Sequence, residues 1–129
     1  MTTRLGLNLR PSYVIEFLAH PPPAIGWIEV IADNYLRAPP TELEHLMQLR
    51  RDYPVALHCV HMNIGSSNPL DTEYFQLLGE LAERVQPMWV SDHLCWNAID
   101  SRWVHDLLPI PLNAGTLQHV ATRVQRIQD

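Results

Sequence analysis

Val55-Ala-Leu-His-Cys-Val60 decides how this chain is read: a short run rich in strand-forming residues, fenced by Pro54 before it and a polar loop after it. Side chains alternate across a strand, so Val55, Leu57 and Cys59 share one face, and Ala56, His58 and Val60 share the other. One face is wholly apolar, and the other carries a histidine near its C-terminal end. Working outward, the same division holds in three further runs. Leu5-Gly-Leu-Asn-Leu-Arg10 puts Leu5, Leu7 and Leu9 against Gly6, Asn8 and Arg10. Trp27-Ile-Glu-Val-Ile-Ala-Asp33 puts Ile28, Val30 and Ala32 against Trp27, Glu29 and Asp33. Met88-Trp-Val-Ser-Asp-His-Leu-Cys-Trp96 puts Val90 and Leu94, with Asp92 as the exception, against Trp89, Ser91, His93 and Cys95.

Each run is followed by a segment of helical period. Pro11-Ser12 opens a helix with Val14, Phe17 and Leu18 on one face, ended by Pro21-Pro-Pro23. Thr41-x-x-Glu44 reads as a capping box ahead of Leu43, Leu46 and Met47. Asp71 is placed to cap a strongly amphipathic helix bearing Tyr74, Leu77, Leu78, Leu81 and Val85. A long connection through Leu107-Leu-Pro-Ile-Pro111 leads to a last helix with Leu117, Val120, Ala121, Val124 and Ile127. Strand then helix, four times over, predicts an α/β fold with a parallel sheet. An open sheet covered by helices on both sides would be apolar on both faces. One polar face with its chemistry at the strand C-termini fits four βα units of a TIM barrel better, a half-barrel in which residues 1–129 form one domain.

Composition narrows the function. The 129 residues are 47% hydrophobic and 18% charged, against roughly 25% charged in an average soluble protein, so a disordered chain is excluded. Net charge is −5, and all nine basic residues are arginine without a basic stripe, which argues against nucleic acid and anionic membranes as partners. No apolar run reaches the roughly 18 residues of a membrane span, and the first residues lack a signal-peptide layout, so a cytoplasmic location is expected. The two cysteines, Cys59 and Cys95, fall on opposite faces and are expected to be free thiols. No serine nucleophile elbow, phosphate loop or dinucleotide fingerprint is present.

The candidate site lies on the polar face. His58 and His93 stand near the ends of neighbouring strands with Glu29 and Asp33 on the next, and imidazole plus carboxylate suits zinc, iron or manganese. A buried, hydrogen-bonded histidine is the plainer reading of either residue. Arg10 and Glu29 either belong to the site or form an ion pair between strands. His61, Asn63, Ser66 and Ser67 form either an anion-binding loop or a capped turn. Asp106, beside His105, either orients a ligand histidine or caps a turn. His20, His45 and His119 read as solvated, and Trp89, Trp96 and Trp103 as packing.

Five segments together carry a family resemblance: Gly6-Leu-Asn-Leu-Arg10; Trp27-Ile-Glu-Val-Ile-Ala-Asp-Asn-Tyr35; Leu57-His-Cys-Val-His-Met-Asn-Ile-Gly-Ser66 with Pro69-Leu-Asp71; Val90-Ser-Asp-His-Leu-Cys-Trp96; and His105-Asp-Leu-Leu-Pro-Ile-Pro111. In that order the chain resembles the N-terminal half of the multinuclear non-heme iron-dependent oxidative enzymes, a family long catalogued as uncharacterised that includes the methanobactin biosynthesis oxidase. The resemblance implies a xylose-isomerase-like TIM barrel holding two or three irons. Such an enzyme uses dioxygen to modify cysteine or other residues of a ribosomally made precursor peptide, usually beside a peptide-recognising partner protein. It also implies that His58 and His93 ligate iron, with Asp92 where the family usually has glutamate beside the histidine, and Asp33 where it has glutamate before Asn34.

An eight-stranded barrel needs roughly 250 residues, so the further carboxylate, asparagine and histidine ligands are expected on strands this chain does not contain. The expected escape from two open strand edges is a homodimer or a complementing chain. The alternatives are a non-catalytic half-barrel binding domain and a xylose-isomerase-like metalloenzyme acting on a sugar or phosphodiester.

Overall fold

The computed structural model describes residues 5–100 and 102–128. Its contacts divide them into two compact units, one drawn from Met1–Cys59 and Leu77–Ser91, the other from Val60–Gln76 and Asp92–Asp129.

The first unit is the parallel sheet. Strands β1 (Leu5–Asn8), β2 (Ile25–Ile31), β3 (Val55–His58) and β4 (Val90–Ser91) lie in sequential order, every neighbouring pair parallel. Helices α1 (Val14–Ala19), α2 (Pro40–Asp52) and α3 (Thr72–Val85) alternate with them. This is the expected α/β arrangement, consistent with half of a TIM barrel. The apolar face behaves as its pattern dictates in the centre of the sheet: Ile28, Val30, Ala32, Val55, Leu57 and Cys59 are fully buried. Val14 and Phe17 of α1, Leu43, Leu46 and Leu49 of α2, and Leu78, Leu81 and Val85 of α3 complete that core. At the sheet edges the same pattern leaves Leu5, Leu7 and Val90 exposed, because an edge strand has a neighbour on one side alone.

Local chemistry sets the helix ends. Asp71 Oδ1 accepts from the Tyr74 backbone N–H at 3.1 Å, the expected cap of α3. At the other end Gln86 turns left-handed at φ 49°, and Arg50 Nε donates to the Val85 carbonyl at 2.7 Å, satisfying one of the orphan carbonyls of the last turn. The capping box at Thr41 does not form: α2 starts two residues earlier, at Pro40, with Pro39 in the cap position and no side-chain cap bond. Proline supplies the first-turn φ without needing an N–H partner, so the helix has no use for the threonine hydroxyl there.

All four strands end earlier than the sequence suggests. Beyond β1, Arg10 leads into a 3₁₀ turn over Pro11–Tyr13, and beyond β2 another 3₁₀ turn takes Ala32–Asn34, so Asp33 leaves the sheet face. The run from Met88 to Trp96 is a strand for Val90–Ser91 alone. Face parity therefore does not reach Asp33, His93 or Cys95.

The second unit holds the expected last helix, but its hairpin was not foreseen. The long connection folds into an antiparallel hairpin, β5 (Trp96–Ile99) and β6 (Arg102–Leu108), with Asp100 at φ 51° supplying the left-handed turn residue. The loop after β3 is fastened to that hairpin. Asn63 accepts the Asn97 N–H at 2.8 Å and donates to the Ala98 carbonyl, while Ser66 Oγ donates to the same carbonyl at 2.7 Å. Asn68 and Asp100 exchange two bonds, Nδ2 to the Asp100 carbonyl at 2.9 Å and Asp100 N–H to Asn68 Oδ1 at 2.8 Å. The final helix, α4 (Ala114–Gln128), adds Arg123, which donates to the Asn68 and Asn63 carbonyls, and His119, which bonds the Ser66 carbonyl at 2.7 Å. His119 is thus a structural residue rather than a solvated one. Leu117 and Ala121, among the apolar residues read on this helix, are exposed. No helix among the described residues is long and apolar enough to cross a membrane.

Candidate functional site

In the first unit the polar face is built in rows by the strand register. Gly6 pairs with Trp27 at the N-terminal end, and a Cβ on Gly6 would lie 2.1 Å from the indole, so only glycine admits that ring. Trp89 meets Trp27 edge-on at 5.0 Å, closing the base of the face. One row higher, Asn8 Nδ2 donates to Glu29 Oε1 at 2.9 Å. The strand partner of Glu29 is therefore Asn8, and among the described residues no ion pair with Arg10 forms. The top row pairs His58 with Ser91, whose Oγ lies 2.9 Å from His58 Nδ1. His58 is half-buried at the C-terminal end of its strand, as the alternation predicts. Asp33 is half-buried on its 3₁₀ turn, Asn34 beside it is exposed, and Arg10 is exposed.

In the second unit Asp92 and His93 form a local pair. The Asp92 side chain is 2% exposed and its carboxylate accepts from the backbone N–H groups of Met62 and His93 and from His93 Nδ1 at 3.2 Å. Burial pushes the Asp92 carboxyl above the usual carboxylate range, and those hydrogen bonds pull against that rise. His93 keeps a side chain 35% exposed, on the wall of an open cleft of about 340 Å³ shared with Val60, His61, Asn97 and residues 104–107. His105 and Asp106 thus reach the same cleft as His93, but Asp106 Oδ1 accepts its neighbour's N–H, from Leu107 at 2.8 Å. Asp106 lies within strand β6 and not at a turn. Asn63 and Ser66 spend their side chains on the hairpin. His61 is exposed and stacks edge-on with Trp103 at 5.5 Å.

Cys59 and Cys95 are both buried free thiols, and burial, then the Asp92 charge, push the Cys95 thiol up. Among the described residues no group of three or more His, Cys, Asp or Glu side chains is placed to hold a metal ion. Donor types suited to iron are present in His58 and His93, but two imidazoles fall short of the three protein ligands a catalytic metal normally takes. The described residues do not by themselves complete a metal centre. Two contributors escaped the sequence reading. Ser91 was visible as an inner-face residue without a role, and Asn97 was hidden because the hairpin that buries it was read as a connection.

Known proteins place these observations. Residues 4–129 match the family model described as RiPP precursor modification enzyme MbnB/TglH/ChrH, RiPP denoting a ribosomally made, post-translationally modified peptide. Over 124 residues the chain is 42% identical to a UPF0276 protein of Anaeromyxobacter sp. (strain Fw109-5), covering 96% of this chain and 44% of that one. UPF0276 proteins of Acaryochloris marina and Caulobacter vibrioides are each 40% identical over the same shares. The chain therefore spans about 44% of the length of these curated relatives.

Proposed function

The chain belongs to the RiPP precursor modification enzyme family MbnB/TglH/ChrH, and on that premise we propose that it contributes the first four βα units of an iron-dependent oxidase acting on a precursor peptide. In this reading residues 1–129 are one half-barrel domain, and His58 and His93 are iron ligands. The observation that supports it best is that each imidazole is held through Nδ1 by a nearby oxygen, Ser91 Oγ for His58 and Asp92 Oδ1 for His93. Metal-ligating histidines characteristically use one ring nitrogen in this way, which fixes the ring and its tautomer. Iron held by these residues would supply the redox chemistry that an oxidase needs. Glu29, Asp33, Asn34, Arg10 and Asp106 are assigned no ligand role by this support. The ligands still needed lie outside residues 1–129, with a second copy or a complementing chain among their sources, and a peptide-recognising protein joins the peptide as partner. A cytoplasmic location goes with this reading.

Anaerobic reconstitution of the full chain with ferrous iron, followed by elemental analysis, tests the ligand assignment. His58→Ala and His93→Ala are each expected to lose bound iron while far-ultraviolet circular dichroism stays unchanged, since each removes one ligand and no core contact. Unchanged stoichiometry in both variants refutes the assignment. Oxygen uptake by the iron-loaded protein separates the oxidase from a hydrolytic or isomerising metalloenzyme.

A further inference from the structure

The hairpin of the second unit contains an irregularity that its own stability does not explain. Trp96 pairs with Leu108 and Ala98 with Trp103, so the single residue Asn97 on β5 faces the four residues 104–107 on β6. Such a bulge breaks the ladder and re-aims side chains, and bulges gather beside binding sites. Here it presents Val104, His105, Asp106 and Leu107 to the cleft that Asn97, Val60, His61 and His93 also line.

Asn97 is 5% exposed, and its other polar atoms are satisfied: N–H donates to Asn63 Oδ1 at 2.8 Å and Nδ2 to the Val60 carbonyl at 2.8 Å. Among the described residues its Oδ1 has no hydrogen-bond partner. With Nδ2 fixed on a carbonyl, the amide cannot flip to relieve this, because the flip would set oxygen against oxygen. A buried acceptor left unmade is costly, and native proteins keep one where something else is to satisfy it. His61 and His105 line the same cleft as Asn97 and are exposed, and exposed side chains yield easily to an incoming group.

We propose that this bulge cleft seats an extended peptide segment, with one backbone N–H of the peptide donating to Asn97 Oδ1 and its side chains resting on Val104 and Leu107. An amide N–H suits the site because the acceptor is neutral and buried, and a neutral donor satisfies it without bringing a charge out of water. The inference rests on the reading of the chain as part of a peptide-modifying enzyme, and it adds where this chain grips the peptide.

The test uses uniformly ¹⁵N-labelled full-length chain without metal, titrated with the capped pentapeptide acetyl-Gly-Ala-Cys-Gly-Ala-amide and with its single N-methyl analogues. Saturable shifts are expected at the Asn97 side-chain amide and at residues 104–107. Methylation of one particular amide is expected to weaken binding roughly tenfold in the wild type and to have no effect in Asn97→Ala. If Asn97→Ala fails to fold, Leu107→Ala, which removes apolar surface under the peptide at an exposed bulge position, is expected to weaken the peptide several-fold without unfolding. Equal methylation penalties in wild type and Asn97→Ala overturn the proposal and leave Asn97 a structural residue. Shifts confined to other surfaces overturn it while the peptide-modifying reading stands. Absence of any binding overturns it too, and iron content and oxygen uptake then judge the enzyme reading separately.

Discussion

At the scale of single residues, burial decides what each polar group does. Arg123 is 7% exposed and lends its guanidinium to two loop carbonyls, Asn68 at 2.7 Å and Asn63 at 3.2 Å, while burial lowers its pKa. Arg123→Ala orphans both carbonyls and is expected to destabilise the protein by about 2–3 kcal/mol, seen as a lower denaturant midpoint and faster amide exchange across residues 63–68. Arg123→Lys is expected to rescue less than half, since one ammonium cannot reproduce the planar fork. Tyr35 shows the pH consequence of burial. Desolvation, and next the Glu42 charge, raise its phenol above the ordinary value, so the folded chain keeps that proton to higher pH than the unfolded chain. Between the two values the native state binds more protons, and stability therefore falls as pH rises from about 10 through the raised value. Tyr35→Phe is expected to flatten that alkaline decline, measured as denaturant midpoint against pH; an unchanged slope would show that another group is responsible.

At the scale of elements, caps and close approaches were partly legible. The Asp71 cap was read correctly because Asp followed by an amphipathic stripe has a local cause, and Asp71→Ala is expected to cost about 1 kcal/mol. Thr41→Ala is expected to change stability by less than about 0.5 kcal/mol, because Pro39 and Pro40 already set the start of α2. Comparing the two variants by thermal melting checks both statements together. Gly65 lies against the hairpin so tightly that a Cβ would sit 2.6 Å from the Cys95 carbonyl oxygen and 2.4 Å from Ile110. Gly65→Ala is expected to cost about 1–3 kcal/mol by forcing the loop off β5. The hairpin itself was missed for a physical reason. Its two strands are unequal and out of register, so the alternation that marks an ordinary hairpin is interrupted at Asn97 and resumes on a different parity.

For the chain as a whole, the first unit has β1 and β4 as its edges, where Leu5 is 58%, Trp89 45% and Val90 40% exposed. Open parallel edges with apolar side chains favour pairing with another chain. Light scattering behind size exclusion is expected to show a species larger than one chain, and Leu5→Lys with Val90→Lys is expected to shift it toward monomer. A wild-type chain that remains monomeric at all concentrations removes the self-complementation half of the proposed function.

The sequence by itself determined the order of strands and helices, the parallel sheet, the buried faces of β2 and β3, and the placing of His58 at a strand end. Period and alternation are local properties, and they need no knowledge of distant neighbours. The tertiary structure decided where the strands stop, which pairs the polar groups make, and that Asn8 rather than Arg10 meets Glu29. It also decided that residues 60–76 and 92–128 form a hairpin-centred unit in which Asn97 keeps an unspent oxygen. Those outcomes depend on hydrogen bonds between residues more than twenty positions apart, such as Asn8 with Glu29 and Asn63 with Asn97, and no local period encodes them.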